Sequence, residues 1–263
     1  MRELQESAHP KNHDYRAGSP HLAHWHLYQR LLTELRGVLK SVQQNRLPWS
    51  VLDVGAGHGS FTEPLLAYGC TVIAMEMSRS SLEFLREQYG SNPSFSVELD
   101  EDGMLKGVRD KSFSVVLFAS VLHHIPDYVA TIEAAASRVV PGGALVTFQD
   151  PLWYPTVPRA AAFLSRFAYF WWRIRQGNYV RGISSRWRWM RGVYDDRNPS
   201  DMVEYHVVRR GVSQDALREA LSSRFRYVRV ISYWSTQSAI WQRIGEALGA
   251  QNTFGIVATD RCS

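Results

Sequence analysis

Short apolar runs rich in β-branched residues recur through the first 150 residues and predict buried strands. The runs lack polar alternation, which is typical of strands covered on both faces of a parallel sheet. Helical patterns separate them, at Phe61–Tyr68, Ser80–Tyr89 and Tyr128–Val139. This alternation predicts a doubly wound α/β fold. The predicted strands are Ser50–Val54, Cys70–Met75, Phe95–Leu99, Phe113–Ala119 and Ala144–Phe148.

The C-terminal part of the sequence predicts two more strands, Tyr227–Ile231 and Phe254–Ala258. Helices are predicted before each of them, at Gln214–Ser223 and Thr236–Ala250. We expect the two late strands to pair as an antiparallel edge. The complete prediction is therefore a seven-stranded, mostly parallel sheet with an antiparallel edge strand.

The segment between these two parts, Pro151–Arg210, is rich in Trp, Tyr, Phe and Arg. It is too long for an unstructured connection inside a domain, so we interpret it as an inserted helical lid. The predicted organisation has four parts. They are an N-terminal segment and helix at 1–46, a core at 47–150, the lid at 151–210 and the completion of the core sheet at 211–263.

Composition narrows the class of protein only a little. The chain has 263 residues, of which 45% are hydrophobic and 21% charged, as in an ordinary globular domain. The net charge of +5 comes from arginine and is compatible with nucleic acid, anionic membrane or acidic substrates, or simply with genomic base composition. Cys70 and Cys262 have no metal-binding spacing, and no apolar run opens the sequence, so we expect a reduced, cytoplasmic protein.

A glycine-rich turn follows the first strand, with the pattern D-x-G-x-G-x-G formed by Asp53, Gly55, Gly57 and Gly59. Glycines let the chain turn tightly and let a ligand approach the backbone. Ser60 stands where a dinucleotide fingerprint needs Gly or Ala. The turn contains no lysine, which excludes a phosphate loop of the G-x-x-x-x-G-K-[ST] type. The remaining pattern resembles the cofactor loop of class I S-adenosylmethionine (SAM)-dependent methyltransferases.

Further residues fall where that family needs them. Glu76, with Met77 beside it, ends the second strand, where the family's acidic residue binds the ribose hydroxyls. Asp100 and Glu101 follow the third strand, where a carboxylate meets the adenine amino group. Ser120 begins the segment after the fourth strand. The resemblance covers about Leu47 to Asp150 and implies SAM as cofactor, bound by Asp53, Gly55, Gly57, Gly59, Glu76, Met77, Asp100, Glu101 and Ser120.

Two smaller features extend the resemblance. Pro141–Gly143 matches the family's usual tight turn before the fifth strand. The N-terminal stretch Asp14–His21 precedes an amphipathic helix, Leu27–Leu39. In similar methyltransferases such a stretch closes over the cofactor with a tyrosine near its carboxylate, which makes Tyr15 and His21 candidates. The alternative is a flexible terminus joined to a packing helix.

Methyl transfer from a sulfonium is an in-line displacement, and positioning alone can contribute about 7–11 kcal/mol. A base is needed mainly for an oxygen acceptor. His124, just past the fourth strand, is the first candidate, although it could instead make a structural hydrogen bond. His206 is the second, with Tyr205 as a hydrogen-bond donor, unless Met202–Val208 is an edge strand whose side chains only pack.

Acceptor contacts are predicted for His123, Asp150, Trp153 and Tyr205. We expect no metal at Asp150, because the residues that follow it supply no further ligands. The predicted reaction is therefore metal-independent methylation of a bulky small molecule, such as a specialised metabolite, with oxygen favoured slightly over nitrogen. RNA or protein methylation, a membrane-associated lipid or quinone-type methyltransferase, and a noncatalytic or cyclase relative stay open.

The predicted lid carries a stripe of aromatic residues from Phe163 to Trp172, accompanied by arginines. As a substrate lid, its aromatics would surround the acceptor. As an interfacial helix, it would enter a membrane surface, and as an RNA contact, it would stack on bases. It could also be a packed extension with a solvated basic face. We favour the substrate lid, with peripheral membrane contact second and nucleic acid disfavoured.

Overall fold

The centre of the fold is a single sheet. The computed structural model of the chain describes residues 19–100, 103–175 and 211–263. Each predicted strand is present, and the later ones extend beyond the predicted bounds. The strands are β1 Ser50–Val54, β2 Thr71–Glu76, β3 Phe95–Leu99, β4 Phe113–Ala119, β5 Val139–Pro151, β6 Phe225–Tyr233 and β7 Thr253–Arg261.

The strand order is β3-β2-β1-β4-β5-β7-β6. Strands β1 to β5 pair in parallel, and β7 pairs antiparallel with both β5 and β6. The predicted fold class, a seven-stranded and mostly parallel doubly wound sheet, is confirmed. The chain reverses its winding direction between β1 and β4, and ligands of such sheets bind beyond the carboxyl ends of the strands at that point.

Helices cover both faces of the sheet. Their bounds lie close to the predicted ones, and α6 forms the first part of the predicted lid. Among the described residues, no helix is both long enough and apolar enough to cross a membrane. The helices are α1 Pro20–Ala23, α2 Trp25–Gln44, α3 Thr62–Ala67, α4 Arg79–Tyr89, α5 Tyr128–Ala136, α6 Arg159–Arg175, α7 Gln214–Ser222 and α8 Ala239–Ala247.

The core lies on both sides of β4 and β5. On one face, Leu31 and Leu35 of α2 pack with Val115 and Val146 of the sheet. On the other face, α5 and α7 bury their apolar side chains against residues such as Phe118. This two-sided burial explains why the strand sequences are continuously apolar.

The sequence Pro141–Gly143 differs from the prediction, because it lies inside β5 instead of before it. The pairing of β5 with β4 shifts in register between Phe113 and Val115, as in a β-bulge. A Cβ on Gly143 would lie 2.7 Å from the carbonyl oxygen of Ser114. The glycine therefore allows a bulged strand to stay close to its neighbour, where the sequence pattern predicts a tight turn.

Candidate active site

The glycine-rich turn lies at the carboxyl end of β1. The N–H groups of Gly55 and Ala56 donate to the Met75 carbonyl, at 2.8 and 3.2 Å, which ties the turn to β2. Gly55 has a φ of +66°, and a Cβ there would lie 2.5 Å from Cγ2 of Val121. The turn therefore requires glycine at this position and leaves its backbone uncovered by its own side chains.

Glu76 ends β2 beside this turn. Its Oε1 accepts from the N–H of Gly57 at 2.6 Å, and its Oε2 accepts from the N–H of Met77 at 3.0 Å. Burial raises the pKa of the Glu76 carboxyl, these backbone hydrogen bonds oppose the increase, and the charge of Asp100 adds to it. The turn and the end of β2 thus form one hydrogen-bonded unit.

Asp53 lies beneath the turn. Its side chain is 1% exposed and accepts from Oγ1 of Thr62 at 2.7 Å, at the start of α3. Burial raises the pKa of Asp53 to about 7, the Thr62 hydrogen bond lowers it, and the charge of Glu76 raises it further. In this position, Asp53 shapes the turn from below.

Asp100 follows β3, at the strand end next to Glu76. Its N–H donates to the carbonyl of Glu76 at 2.9 Å, and its Oδ1 accepts from the N–H of Gly103 at 3.1 Å. The two carboxylates predicted for the cofactor therefore occupy adjacent strand ends. Glu101 lies outside the described residues.

The ends of β4 and β5 have unusual backbone geometry. Ser120 and Gln149 have φ values of +64° and +66°, a left-handed conformation that is uncommon outside glycine and that clusters at functional sites. The N–H of Gln149 donates to the hydroxyl of Tyr233 at 2.8 Å. Gln149 was not predicted as a site residue, although a polar residue directly after an apolar strand was a usable signal.

Asp150, which is buried, and His123, which is partly buried, form a pair beside this strained backbone. Oδ1 of Asp150 accepts from the backbone N–H of His123 at 3.2 Å and lies 2.9 Å from His123 Nδ1. Asp150 is 0% exposed, and its Oδ2 has no hydrogen-bond partner among the described residues. The His124 ring lies 4.0 Å from the His123 ring, centroid to centroid.

The N-terminal helices lie over the glycine-rich turn. The ring of His21 stacks on Phe61 at 6.0 Å, and the Tyr28 hydroxyl donates to the carbonyl of Ser60. His21 is buried, which lowers its pKa to about 4 and keeps the ring neutral. Its Nδ1 makes no hydrogen bond within residues 19–100, 103–175 and 211–263.

The remaining predicted site residues are only partly described. Trp153 is partly buried three residues after Asp150, and its N–H donates to Oε1 of Gln214 at 3.4 Å. Tyr15, Tyr205 and His206 lie outside the described residues, as does the part of the predicted lid at 176–210. The described part brings together the predicted residues on β1 to β5 and on α1.

Comparison with known proteins shows what the central part of the chain resembles. Residues 52–147 match a family model described as a methyltransferase domain. A ubiquinone biosynthesis O-methyltransferase from Thiobacillus denitrificans is 34% identical over 94 residues, or 35% of this chain and 40% of that protein. Highly reducing polyketide synthase 40 from Fusarium pseudograminearum is 25% identical over 188 residues, or 66% of this chain and 7% of that protein.

The chain thus spans less than half the length of these curated relatives. Among solved structures, the N-methyltransferase NodS from Bradyrhizobium japonicum, in complex with S-adenosyl-L-homocysteine, has a TM-score of 0.53. The identity is 14%, and the match covers 99% of this chain and 97% of that one, which shows a shared fold. Residues 52–147 are therefore similar to a methyltransferase domain, and the whole chain shares its fold with a solved N-methyltransferase.

Proposed function

We propose that the protein transfers a methyl group from SAM to a bulky small-molecule acceptor. The observation that carries this proposal is the hydrogen-bonded unit of the glycine-rich turn and Glu76, with Asp100 at the next strand end. Uncovered backbone beside two carboxylates suits a nucleoside with ribose hydroxyls and an adenine amino group. When bound, SAM supplies a methyl group on a sulfonium sulfur.

Specific roles follow for the residues around the turn. Glu76 would accept hydrogen bonds from the ribose, and Asp100, with Glu101, would accept from the adenine amino group. Gly55, Gly57, Met77 and Ser120 would line the same pocket. The buried Nδ1 of His21 could donate to a carboxylate of the cofactor, a role we also propose for Tyr15. The orphaned nitrogen of His21 is the observation that supports this extension.

The pair of His123 and Asp150 favours an oxygen acceptor. A carboxylate that accepts from Nδ1–H holds the imidazole in the tautomer whose Nε2 can take a proton. His123 would therefore remove the proton of an acceptor hydroxyl, with Asp150 positioning the ring. This assigns to His123 the base role that the sequence pattern gave to His124. His206, Tyr205 and Trp153 stay proposed acceptor contacts.

The proposed setting is a reducing compartment such as the cytoplasm. Both cysteines, buried Cys70 and exposed Cys262, are unoxidised thiols in the fold. Burial raises the pKa of the Cys70 thiol to about 11, which keeps it protonated and unreactive. Neither thiol lies in a redox motif, which supports this setting.

Calorimetric titration with SAM tests the cofactor site. We expect the wild-type chain to bind SAM and Glu76→Gln to weaken the affinity by roughly ten- to a hundredfold, because hydrogen bonds to a charged group are lost. The matched control is Glu83→Gln, which removes a carboxylate from the exposed face of α4. It should bind SAM as the wild type does.

Two outcomes would contradict the proposal. If the wild type bound no SAM, the methyltransferase function would be wrong. If Glu76→Gln kept full affinity, the function could stand but the site would have to lie elsewhere on the sheet.

A further inference from the structure

The outer face of α6 is unusual because its large apolar side chains point away from the protein. Phe163 is 71% exposed, and Phe167, Phe170, Trp171 and Ile174 are between 41% and 45% exposed. These five residues share one side of the helix and are called the α6 face below. The buried positions opposite them are the small residues Ala161 and Ala168. An ordinary amphipathic helix packs with the reverse arrangement.

The exposed apolar area continues beyond α6. The ring of Phe167 packs edge-on against Trp241 of α8 at 4.9 Å, and the neighbouring Ile240 is 56% exposed. Helix α8 is in turn bonded to the start of α2 through His26 and Glu246, where Trp25 is 70% exposed. Large exposed apolar areas of this kind mark interaction surfaces.

This surface lies beside the proposed active site. Helix α6 begins soon after β5 ends at the His123–Asp150 pair. Asn252, directly before β7, donates through Nδ2 to the Ser235 carbonyl at 2.9 Å and to Oγ of Ser165 at 3.3 Å. These bonds fix α6 at the carboxyl edge of the sheet, where an acceptor would enter.

The charged residues of α6 are all basic. Its sequence contains Arg159, Arg166, Arg173 and Arg175, with no Asp or Glu. Arg159 and Arg166 are exposed, and within the described residues neither forms an ion pair. The whole chain carries a net charge of +5. Arginines beside an exposed aromatic stripe match a bilayer surface, where rings enter the boundary of the acyl chains and cations meet lipid phosphates.

We propose that the α6 face docks on the surface of an anionic phospholipid membrane. Phe163 and Phe167 stack on each other at 6.4 Å, which makes a continuous apolar surface. The docking itself does not depend on the methyltransferase function. A second consequence does rest on that function, namely that the acceptor is a lipophilic molecule that enters the site from the membrane.

Vesicle sedimentation tests the proposal, without SAM or acceptor. We expect the wild-type chain to co-sediment with vesicles containing phosphatidylcholine and phosphatidylglycerol and to bind far less to phosphatidylcholine alone. The triple variant Phe163→Ser, Phe170→Ser and Trp171→Ser should lose binding by at least about tenfold. Arg159→Gln with Arg166→Gln should remove the preference for the anionic vesicles.

The matched control is Tyr227→Ser, because Tyr227 is 62% exposed but lies on the edge strand β6. It should sediment as the wild type does. SAM titration of each variant reports its folding. A wild-type chain that binds SAM but does not bind the anionic vesicles would overturn the docking proposal alone. Wild-type binding in the triple variant would also overturn it. A wild-type dimer that the triple variant converts to monomer, or RNA binding without vesicle binding, would assign the face to another partner and overturn it as well.

Discussion

Asp150 distinguishes two histidines that are adjacent in the sequence. His123 Nδ1 lies 2.9 Å from its Oδ1, and the backbone N–H of His123 donates to the same oxygen. A buried carboxylate that holds one ring nitrogen fixes the orientation and tautomer of that ring. We therefore propose that His123 carries the proton transfer, and this proposal rests on its two contacts with Asp150.

Replacement of each histidine tests this assignment. With an acceptor found by transfer of labelled methyl groups to a metabolite extract, we expect His123→Ala to lower the single-turnover rate by roughly 10²–10⁴-fold. Asp150→Asn should lower it in the same direction, and His124→Ala should leave it nearly unchanged. The affinity for SAM should be the same in all three variants.

The pH dependence separates a base from a merely structural residue. If the acceptor is a phenol, its hydroxyl ionises without help near a pH of about 10, so the deficit of His123→Ala should shrink as the pH approaches that value. A deficit that stays constant with pH would indicate a positioning role. A slow His124→Ala variant beside a normal His123→Ala variant would reverse the assignment.

At the scale of elements, α8 shows how closely one helix is fitted to the sheet. Gly245 packs against the buried ring of Trp234, and a Cβ there would lie 2.2 Å from the ring atoms. Trp234 itself donates from Nε1 to the carbonyl of Trp241 at 2.9 Å. The ring is held on both sides, so α8 would have to move away from the sheet to accommodate a side chain at position 245.

Two glycine-to-alanine substitutions should therefore have opposite effects on the free energy of unfolding. Gly245→Ala should destabilise the protein by about 1–3 kcal/mol, because overpacking displaces α8. Gly37→Ala should stabilise it by roughly 0.5–1 kcal/mol, because nothing lies within 4 Å of a Cβ there and alanine favours the helix. Urea unfolding measures both, and a Gly245→Ala variant as stable as the wild type would show that α8 is not packed as described.

At the scale of the whole molecule, the proposed cofactor site contains a buried carboxyl group that costs stability. Asp53 lies among the buried strands, where its pKa rises to about 7 from an ordinary 3.8. The folded protein therefore holds this proton over a pH range in which the unfolded chain has lost it. The contribution of Asp53 to stability is full below the ordinary pKa and is lost as the pH rises through about 7.

Asp53→Asn should remove this dependence while its Oδ1 still accepts from Thr62. Relative to the wild type, the variant should become more stable as the pH rises from about 4 to about 7, by a total of order 4 kcal/mol, and the difference should then stay constant. Urea unfolding across this pH range measures it. Parallel stability curves for the two proteins would show that Asp53 does not titrate as proposed.

The sequence by itself determined the strands, the sheet type and the placement of the candidate cofactor residues at strand ends. The positions of Glu76 and Asp100 could be predicted because each stands at the end of an apolar strand, and parallel strands end at the same edge of a sheet. Such signals are local, since hydrophobic periodicity and turn glycines act within a few residues. The prediction that a ligand-accessible turn follows β1 therefore needed no information about residues distant in the sequence.

The tertiary structure decided what depends on contacts between distant residues. Only packing shows that Asp150 contacts the His123 ring, that Tyr233 contacts Gln149, and that His24 donates to the carbonyl of Thr236 at 2.7 Å. The same holds for the aromatic stripe of α6, because helical spacing defines a face but not the direction in which it points. Burial depends on the neighbours that the fold supplies. The small residues Ala161 and Ala168 face inward there, and Phe163 faces solvent.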